Sequence, residues 1–199
     1  LIGKEYGVEI INVLTGFKFI GEQIGLLEAK GEEKRYIWGF EESYGYLSGS
    51  YVRDKDAVDA SMLICEMAAY YRTQGITLLQ ARENMYKKYG FFYQTLYSFT
   101  FEGASGMKKM ADIMENLRNN HPTEIAGLKV IRFDDYKLST SKNVVTGEVT
   151  ELTLPKSNVL AFFLEGGSKV IVRPSGTEPK VKAYITSKQD TREEAEAIE

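Results

Sequence analysis

The sequence predicts two folded parts: an α/β part with a mixed sheet and helices over residues 1–95, and an α+β part with an antiparallel sheet and flanking helices over residues 96–199. In the first part, short apolar segments alternate with helical patterns, which is typical of α/β proteins. In the second part, a helix precedes several strand-like segments, and a further helix follows them. A chain of 199 residues is long enough to give each part its own core.

In the first part, apolar spacing and capping residues predict two short strands and three helices. The strands cover residues 8–14 and 36–40, and the helices cover residues 20–30, 57–74 and 77–89. Asp54 or Asp56 can cap the second of these helices, and Gly75 can end it. Thr77 and Gln80 have the spacing of a capping box for the third helix.

The second part is predicted to be a helix, an antiparallel meander and a final helix. Its predicted strands cover residues 97–101, 128–133, 144–152, 159–165, 169–172 and 181–186. Ser105 precedes the first helical pattern, and Thr191 is placed to cap the last one. Thr-Gly at 146–147 and Gly-Gly at 166–167 are hairpin signals between the strands. Leu1 in place of a methionine and a last helix that stops at Glu199 predict a piece of a longer protein.

Composition and charge argue against two classes of binding partner, nucleic acids and membranes. The formal net charge of −3 argues against a general nucleic-acid-binding surface, which requires a basic excess. No apolar run approaches the roughly 20 residues of a membrane-spanning helix, so no membrane partner is expected. The single cysteine, Cys65, lies in an apolar helical pattern and is predicted to be a small buried thiol, which fits a reducing cytoplasm.

The most informative segment is the run Arg173–Lys180, with the sequence RPSGTEPK. It joins two predicted strands through a turn that two prolines stiffen and one glycine relaxes. Arg173 offers a planar fork of donors, and Ser175 and Thr177 add hydroxyl groups. A concave group of donors of this kind suits a phosphate. The alternative is a plain Pro/Gly hairpin that carries an incidental arginine.

Two further clusters of polar residues are candidates for binding a ligand. Glu41, Glu42 and Ser43 follow an apolar strand, and strand-end loops of α/β sheets commonly bind ligands. Adjacent carboxylates and a hydroxyl can accept hydrogen bonds from sugar hydroxyls, although an acidic surface turn is the plainer interpretation. Arg53 and Lys55 lie near the start of a predicted helix, where positive charge is unfavourable unless an anion compensates it. The alternative there is an ordinary solvated charge cluster.

A metal site is not predicted. His121 is the only histidine, it lies in a polar loop, and it has neither a cysteine nor a second histidine as partner. The carboxylates lack the spacing of an EF-hand, and no P-loop string is present.

Taken together, these strings resemble the phosphohexomutases, the family of phosphoglucomutase, phosphomannomutase and their relatives. RPSGTEPK is similar to the phosphate-binding loop of their C-terminal domain, and Gly39–Gly45 is similar to the sugar-binding loop of their third domain. Thr15–Lys18 resembles another turn of that domain that faces the active site. The strings at Gly39–Gly45 and Arg53–Ala57 look most like the bacterial α-phosphoglucomutase branch.

The resemblance implies roles for individual residues. Contacts to phosphate are implied for Arg173, Ser175, Gly176, Thr177, Lys180 and Arg53. Contacts to the sugar are implied for Glu41, Ser43, Glu42 and Lys18. Lys55 is a candidate general acid/base, a role that requires partial burial of its ammonium group. The fold implied is the later part of domain three, followed by a fourth domain that is similar to the TATA-box-binding protein.

The resemblance also implies an activity. Family members move a phosphoryl group between O1 and O6 of a hexose through a phosphoserine, a Mg²⁺ ion and a hexose 1,6-bisphosphate intermediate. The family's Ser-His-Asn-Pro loop and Asp-Gly-Asp metal loop are absent from this sequence. The sequence is therefore expected to bind a phosphosugar and to depend on the missing N-terminal domains of the same polypeptide for transfer. A non-catalytic sugar-phosphate sensor is the alternative.

Overall fold

The computed structural model describes residues 1–41, 44–103, 105–176 and 178–197, with only the backbone of Glu196. The chain divides into two compact units, Leu1–Met85 and Tyr86–Glu199. Helices with a small sheet form the first unit, and a large antiparallel sheet with helices forms the second, which confirms the predicted fold class. The boundary predicted between residues 95 and 96 falls inside a strand of the second unit. It remains a prediction about the domains of the family.

The first unit contains mainly helices. Its elements are α1 (Ile2–Glu5), α2 (Phe17–Glu28), a 3₁₀ turn (Glu33–Arg35), β1 (Gly39–Phe40), β2 (Tyr46–Leu47), α3 (Ala57–Thr73) and most of α4 (Leu78–Tyr89). Its small core consists of Phe17, Ile20 and Ile24 on one face of α2 together with Leu47 of β2. Because positions 17, 20 and 24 recur at helical spacing, α2 buries one face against the β1–β2 pair.

The strand predicted over residues 8–14 is wrong, because that segment has no regular structure. Ile10 and Ile11 are exposed, and no strand in the described residues pairs with the segment. A strand exists only as a member of a ladder, so apolar β-formers alone do not produce one. The described sheet of this unit is the antiparallel pair of β1 and β2.

Helix α3 begins where the sequence predicts, and Asp56 caps it. The Asp56 carboxylate accepts hydrogen bonds from the backbone N–H groups of Val58 and Asp59. The face that carries Ile64 and Met67 is exposed, however, and none of the residues of α3 is buried. Cys65 is exposed with it, so the prediction of a buried thiol is wrong. Helical periodicity identified the apolar face but not whether another element covers it.

The capping box of α4 is confirmed. Thr77 N–H donates to Gln80 Oε1 at 2.7 Å, and Gln80 N–H donates to Thr77 Oγ1 at 3.2 Å. Two backbone donors that lack partners within the helix are thereby satisfied, so this local sequence specifies where the helix starts.

Removing the Thr77 hydroxyl tests this capping box. We expect Thr77→Ala to lower the free energy of unfolding by about 1 kcal/mol, because the amide of Gln80 loses its acceptor. Thr77→Ser keeps the oxygen and is expected to retain most of the stability. Chemical denaturation of the two variants is the measurement, and equal stability of the alanine and serine variants would show that the box contributes nothing.

The second unit is an antiparallel sheet with helices. Its elements after α4 are β3 (Phe91–Thr100), α5 (Gly106–Asn119), β4 (Glu124–Ile125), β5 (Leu128–Asp135), β6 (Thr140–Asn143), β7 (Val149–Glu151), β8 (Leu160–Leu164), a 3₁₀ turn (Glu165–Gly167), β9 (Lys169–Pro174), β10 (Lys180–Gln189) and α6 (Arg192–Ala197). In the described residues the strand order is β3-β10-β9-β8-β5-β6-β7, and β4 pairs with β5. Every pairing is antiparallel, as the hairpin signals predict.

The core of this unit lies between α5 and the sheet. Met110 and Met114 of α5 pack with buried side chains of β5, β8, β9 and β10. The predicted helix after Ser105 is confirmed, although the Ser105 side chain makes no capping hydrogen bond. Thr191 does cap α6, since its Oγ1 accepts a hydrogen bond from Glu194 N–H at 3.2 Å.

One predicted strand is divided by a turn. Residues 144–152 were predicted as a single strand, but they form a turn followed by β7. Asn143 Oδ1 accepts hydrogen bonds from the N–H groups of Val145 and Thr146, each at 3.0 Å. These bonds form a local turn, in which Gly147 has a φ of 77°. A side-chain acceptor therefore outweighs the β-propensity of the two valines.

Candidate functional site

The turn between β9 and β10 carries the RPSGTEPK run. Ser175 N–H donates to Lys180 O at 2.8 Å, which closes the turn at the ends of the two strands. Inside it, Glu178 N–H donates to Ser175 Oγ at 3.3 Å. Thr177 lies outside the described residues. The strand register continues up to Pro174 opposite Val181, so the turn projects from a fixed two-stranded base.

Arg173 is held at the base of this turn by Tyr184 of the neighbouring strand. Its Nε–H donates to the Tyr184 hydroxyl at 3.2 Å, and its guanidinium lies 5.6 Å from the centroid of that ring. Arg173 is half-buried and lies opposite Lys182, so Tyr184 is its diagonal neighbour on one face of the sheet. In the described part of the chain, its two terminal NH₂ groups have no hydrogen-bond partner. They are the pair that binds an oxyanion in a bidentate manner.

Gly176 contributes space to the turn and not an unusual backbone angle. It does not adopt a positive φ, so its backbone conformation is not what favours glycine here. A Cβ atom built at Gly176 meets no atom within 4 Å. The missing side chain therefore leaves the backbone at this position accessible to a ligand.

Lys180 forms an ion pair inside the turn. Its Nζ lies 3.0 Å from Glu178 Oε2, and the two side chains are 31% and 56% exposed. Lys180 is therefore close enough to the turn to serve an anion, but the carboxylate of Glu178 already binds its ammonium group. An arriving phosphate competes with that carboxylate, so Arg173 is the less encumbered cation of the two.

The first unit has its own cluster of cations. A cavity of about 490 Å³ is lined by Phe17, Lys18, Val52, Arg53, Asp54 and Lys55. Three of these residues were predicted from the sequence to contact ligand, and the structure brings Lys18, Arg53 and Lys55 to one cavity. Lys18 is in the first turn of α2, and the other two cations lie in the loop before α3. Two helix N-termini and three cations together favour an anionic ligand.

The three cations differ in their partners. Arg53 donates to Glu28 Oε2 at 2.5 Å and to Ser50 O at 2.8 Å, so its orientation is fixed. Lys55 Nζ lies 3.0 Å from Asp54 Oδ1, and its side chain is 52% exposed. Lys18 lies 4.9 Å from the centroid of the Phe19 ring and has no ion-pair partner in the described residues. Lys18 is therefore the most available cation for a ligand, and Lys55 has little of the burial that acid/base catalysis requires.

The acidic loop after β1 is described only at its ends, since Glu42 and Ser43 lie outside the described residues. Glu41 N–H donates to Gly45 O at 3.0 Å, which closes the loop. The Glu41 side chain lies over Gly45, where an added Cβ would come within 2.7 Å of Oε1. The Glu41 carboxylate has no hydrogen-bond or ion-pair partner in the described residues, so it is available to accept from a ligand hydroxyl.

Backbone and side-chain bonds connect this acidic loop to the segment that carries Lys55. Asp56 N–H donates to Tyr46 O at 2.8 Å, just after the loop. Ser48 then donates to Asp59 through its N–H at 2.9 Å and through its hydroxyl at 2.6 Å. The loop with Glu41 and the N-terminus of α3 are therefore held together as one framework.

Hydrogen bonding lowers the pKa of Asp56. The causes are the N–H of Asp59, the Tyr51 hydroxyl and the N–H of Val58. The same contact raises the pKa of Tyr51 to about 12, because the phenol proton is shared with Asp56. A carboxyl whose pKa is lower in the folded chain stabilises the fold above its unfolded pKa of about 3.9, and this stabilisation is lost as the pH falls through the folded pKa.

Asp56→Asn separates the charge of this group from its capping role. The amide oxygen still caps α3, but the group no longer titrates, so we expect the melting temperature to fall less steeply below about pH 4. Asp56→Ala loses the cap as well and is expected to melt lower at every pH. Melting curves between acid and neutral pH test both variants. If the melting temperature of Asp56→Asn falls with decreasing pH as steeply as that of the wild-type chain, titration of Asp56 does not contribute to the loss of stability in acid.

Sequence reasoning missed the residues that position the cations. Tyr184 was not predicted, because its position diagonal to Arg173 depends on the register of β9 and β10. The aromatic ring of Phe17, 5.8 Å from Lys55 Nζ, was not predicted either.

No group of three or more metal-binding side chains occurs among residues 1–41, 44–103, 105–176 and 178–197. Within the same residues, no helix has the length and apolarity to cross a membrane.

Comparison with known proteins identifies the family. Residues 1–89 match the model of the α/β/α domain III of phosphoglucomutase/phosphomannomutase, and residues 104–199 match the model of its C-terminal domain. The chain belongs to the phosphoglucomutase/phosphomannomutase family. Both motifs that carried the resemblance lie within these matches, so the predicted family is confirmed.

Relatives within this family include phosphoglucomutases from staphylococci. A phosphoglucomutase from Staphylococcus aureus strain RF122 is 43% identical over 187 residues, which cover 94% of this chain and 33% of the relative. One from Staphylococcus epidermidis is 39% identical over 185 residues, with 93% and 33% covered. The chain therefore spans about a third of the length of these relatives.

A solved structure supports the fold. The Paramecium phosphoprotein pp63/parafusin, described as a phosphoglucomutase in an open form, superimposes with a TM-score of 0.65. The superposition covers 96% of this chain and 31% of that one, at 20% identity.

Proposed function

We propose that this chain is the sugar-binding and distal-phosphate-binding part of an enzyme that interconverts hexose 1-phosphate and hexose 6-phosphate. The observation that carries the proposal is Arg173, whose terminal NH₂ groups are unpartnered in the described residues at the base of an open turn. Membership of the phosphoglucomutase/phosphomannomutase family supports it.

The two binding regions suit a substrate that must be used in both directions. Such a sugar presents either O1 or O6 to the group that transfers phosphate, so its other end carries the distal phosphate. A turn that recognises only phosphate, with a loop that reads hydroxyls of the ring, accepts both orientations. In phosphoryl transfer, positioning and electrostatic stabilisation dominate catalysis, so these contacts increase the rate as well as the affinity.

The proposal assigns each residue a part. Arg173, Ser175, Gly176, Thr177 and Lys180 bind the distal phosphate. Glu41, Glu42 and Ser43 accept hydrogen bonds from sugar hydroxyls, and Lys18 and Arg53 present positive charge to the substrate. Lys55 exchanges a proton with the reacting oxygen, which requires its release from Asp54 and a more enclosed site than the described one.

Other steps belong to parts of the polypeptide that this sequence does not contain. A phosphoserine, a Mg²⁺ ion and a hexose 1,6-bisphosphate intermediate are proposed from the family, and the described residues hold no cluster that fits the metal. Residues 1–95 are proposed as the later part of domain three and residues 96–199 as domain four. A cytoplasmic location remains a prediction.

Transferring the chain into a relative tests the proposed function. We expect the 199-residue chain alone not to convert glucose 1-phosphate, because its sequence lacks the serine and metal loops. A chimera in which it replaces the matching third of Staphylococcus aureus phosphoglucomutase is expected to regain turnover. A folded chimera that binds glucose 6-phosphate without turning it over would favour the sugar-phosphate sensor instead.

The acidic loop can be tested in the same chimera. We expect Glu41→Ala and Ser43→Ala to lower kcat/KM by about tenfold each, since each removes a hydrogen bond to the sugar. Gly45→Ala is expected to do the same indirectly, because its methyl group would occupy the place of the Glu41 carboxylate. Gly25→Ala is the control, since Gly25 lies inside α2 without a positive φ and an added Cβ there meets no atom within 4 Å. Kinetics of all three loop variants equal to those of the control would remove the loop from the site.

A further inference from the structure

The first strand of the second unit, β3, is a long edge strand, and of the described helices α6 packs near its first residue, Phe91. It pairs with β10 over all ten residues from Phe91 to Thr100, and no strand of the described residues pairs with its other side. Its sequence, FFYQTLYSFT, contains no charged residue, no proline and no glycine. The opposite edge, β7, is only three residues long and ends in Glu151. Short length and charge are the devices that blunt edges, and β3 has neither.

The register shows which backbone groups of β3 face outward. Phe101 N–H donates to Pro179 O at 2.8 Å, directly beyond the pair of Thr100 and Lys180. Because the direction of backbone groups alternates along a strand, odd-numbered residues of β3 bond to β10 and even-numbered ones point away. The outward groups therefore belong to Phe92, Gln94, Leu96, Ser98 and Thr100.

The side chains on one face of β3 form a palindromic series, so their order is the same from either end of the strand. The odd-numbered side chains are Phe91, Tyr93, Thr95, Tyr97 and Phe99. In an antiparallel pair of identical strands centred on Thr95, Phe91 lies opposite Phe99, Tyr93 opposite Tyr97, and Thr95 opposite itself. Aromatic pairs and Thr–Thr pairs are favourable across antiparallel strands. None of these five side chains is charged, and the guanidinium of Arg192 in α6 lies over the Phe91 ring at 5.9 Å.

We propose that two copies of this chain pair through the outer edges of β3, antiparallel about a twofold axis at Thr95. Gln94 of each copy then exchanges backbone hydrogen bonds with Leu96 of the other. Thr95 occupies a pair without backbone hydrogen bonds, in which side chains are closest. The Thr95 hydroxyl is buried and has no hydrogen-bond partner in the described residues. In the dimer, rotation of the Thr95 side chain about χ1 brings this hydroxyl to the hydroxyl of Thr95 in the other copy, which serves as its partner.

The sequence favours a second copy over other occupants. An edge offers backbone groups to any strand, but the symmetric series of side chains is complementary to itself. A self-complementary patch gives a closed twofold dimer, because both edges are used up by one contact. Leu96 and Phe99, 51% and 52% exposed, also lose water-accessible apolar surface in the pair.

Sedimentation of the 199-residue chain over a range of concentrations tests the proposal. The wild-type chain is expected to shift from monomer to dimer as its concentration rises. Leu96→Lys places two lysines diagonally across the axis, roughly 7–8 Å apart, and is expected to weaken the dimer by about tenfold or more. Val149→Lys adds the same charge at an exposed position of the opposite edge and is expected to dimerise like wild type. A monomer at all concentrations, or equal dimers of all three proteins, overturns the proposal.

Cross-linking tests the register independently of stability. In a Cys65→Ser background, Thr95→Cys is expected to form a disulfide-linked dimer under mild oxidation, because the two residues face each other across the axis. Ser98→Cys is the matched control, since the two copies of residue 98 lie roughly 20 Å apart in this pairing. Absence of the Thr95→Cys dimer, or equal cross-linking at both positions, excludes this pairing. Circular dichroism shows whether each variant is folded.

Discussion

Replacing Arg118 with methionine is expected to lower the free energy of unfolding by about 3–5 kcal/mol. The Arg118 side chain is 7% exposed, and its Nε lies 2.7 Å from an oxygen of Asp135, which is 2% exposed. A second nitrogen donates to Asn158 Oδ1 at 2.8 Å. Without the guanidinium, the Asp135 charge remains buried, and among the described residues only the backbone N–H groups of Lys137 and Leu138 still donate to it.

Two variants check this reason for the loss. Adding Asp135→Asn to Arg118→Met is expected to recover part of the stability, because it removes the uncompensated charge and keeps an acceptor for the backbone. Lys108→Met removes an ion pair of similar length whose side chains are 78% and 62% exposed, and it is expected to change little. Chemical denaturation measures all three, and an Arg118→Met loss as small as that of Lys108→Met would contradict the account.

In the chimeric enzyme, Arg173→Lys is expected to lower kcat/KM by roughly 5- to 150-fold, which corresponds to about 1–3 kcal/mol of transition-state stabilisation. Lysine keeps the charge but loses the planar pair of NH₂ groups that binds two phosphate oxygens. It also loses the Nε–H bond to Tyr184, which fixes the direction of the side chain.

Arg132→Lys is the matched control for this effect. Arg132 belongs to the same unit, its side chain is 47% exposed, and its guanidinium also lies over an aromatic ring, Phe163, at 3.6 Å. It is on β5 and not in the RPSGTEPK turn, so its replacement is expected to leave kcat/KM unchanged. Equal losses for the two variants would mean that Arg173 acts only as a structural arginine.

Elements specified by local sequence were predictable. The cap of Asp56 on α3, the capping box of Thr77 and Gln80, and the cap of Thr191 on α6 are all formed as the sequence indicates. Each depends on residues within a few positions of one another, so no knowledge of the rest of the fold is needed.

Elements that depend on distant partners were not predictable. Residues 8–14 have strand-forming side chains but pair with no strand in the described part of the chain, and Cys65 lies in an apolar stretch of sequence but is exposed. The same distinction holds in the site. The donors of the RPSGTEPK turn follow from residue types, whereas the contact between Arg173 and Tyr184 depends on the register of β9 and β10.

Binding of phosphate by the turn is the central claim, and an NMR titration of the ¹⁵N-labelled 199-residue chain tests it most directly. Addition of inorganic phosphate or glucose 6-phosphate is expected to shift the backbone amide signals of Ser175 and Gly176 and the Nε–H signal of Arg173, whereas glucose leaves them unchanged. Arg173→Lys is expected to abolish or strongly weaken the response. Signals of the turn that do not respond to either phosphate compound, while the chain is folded, would contradict the account.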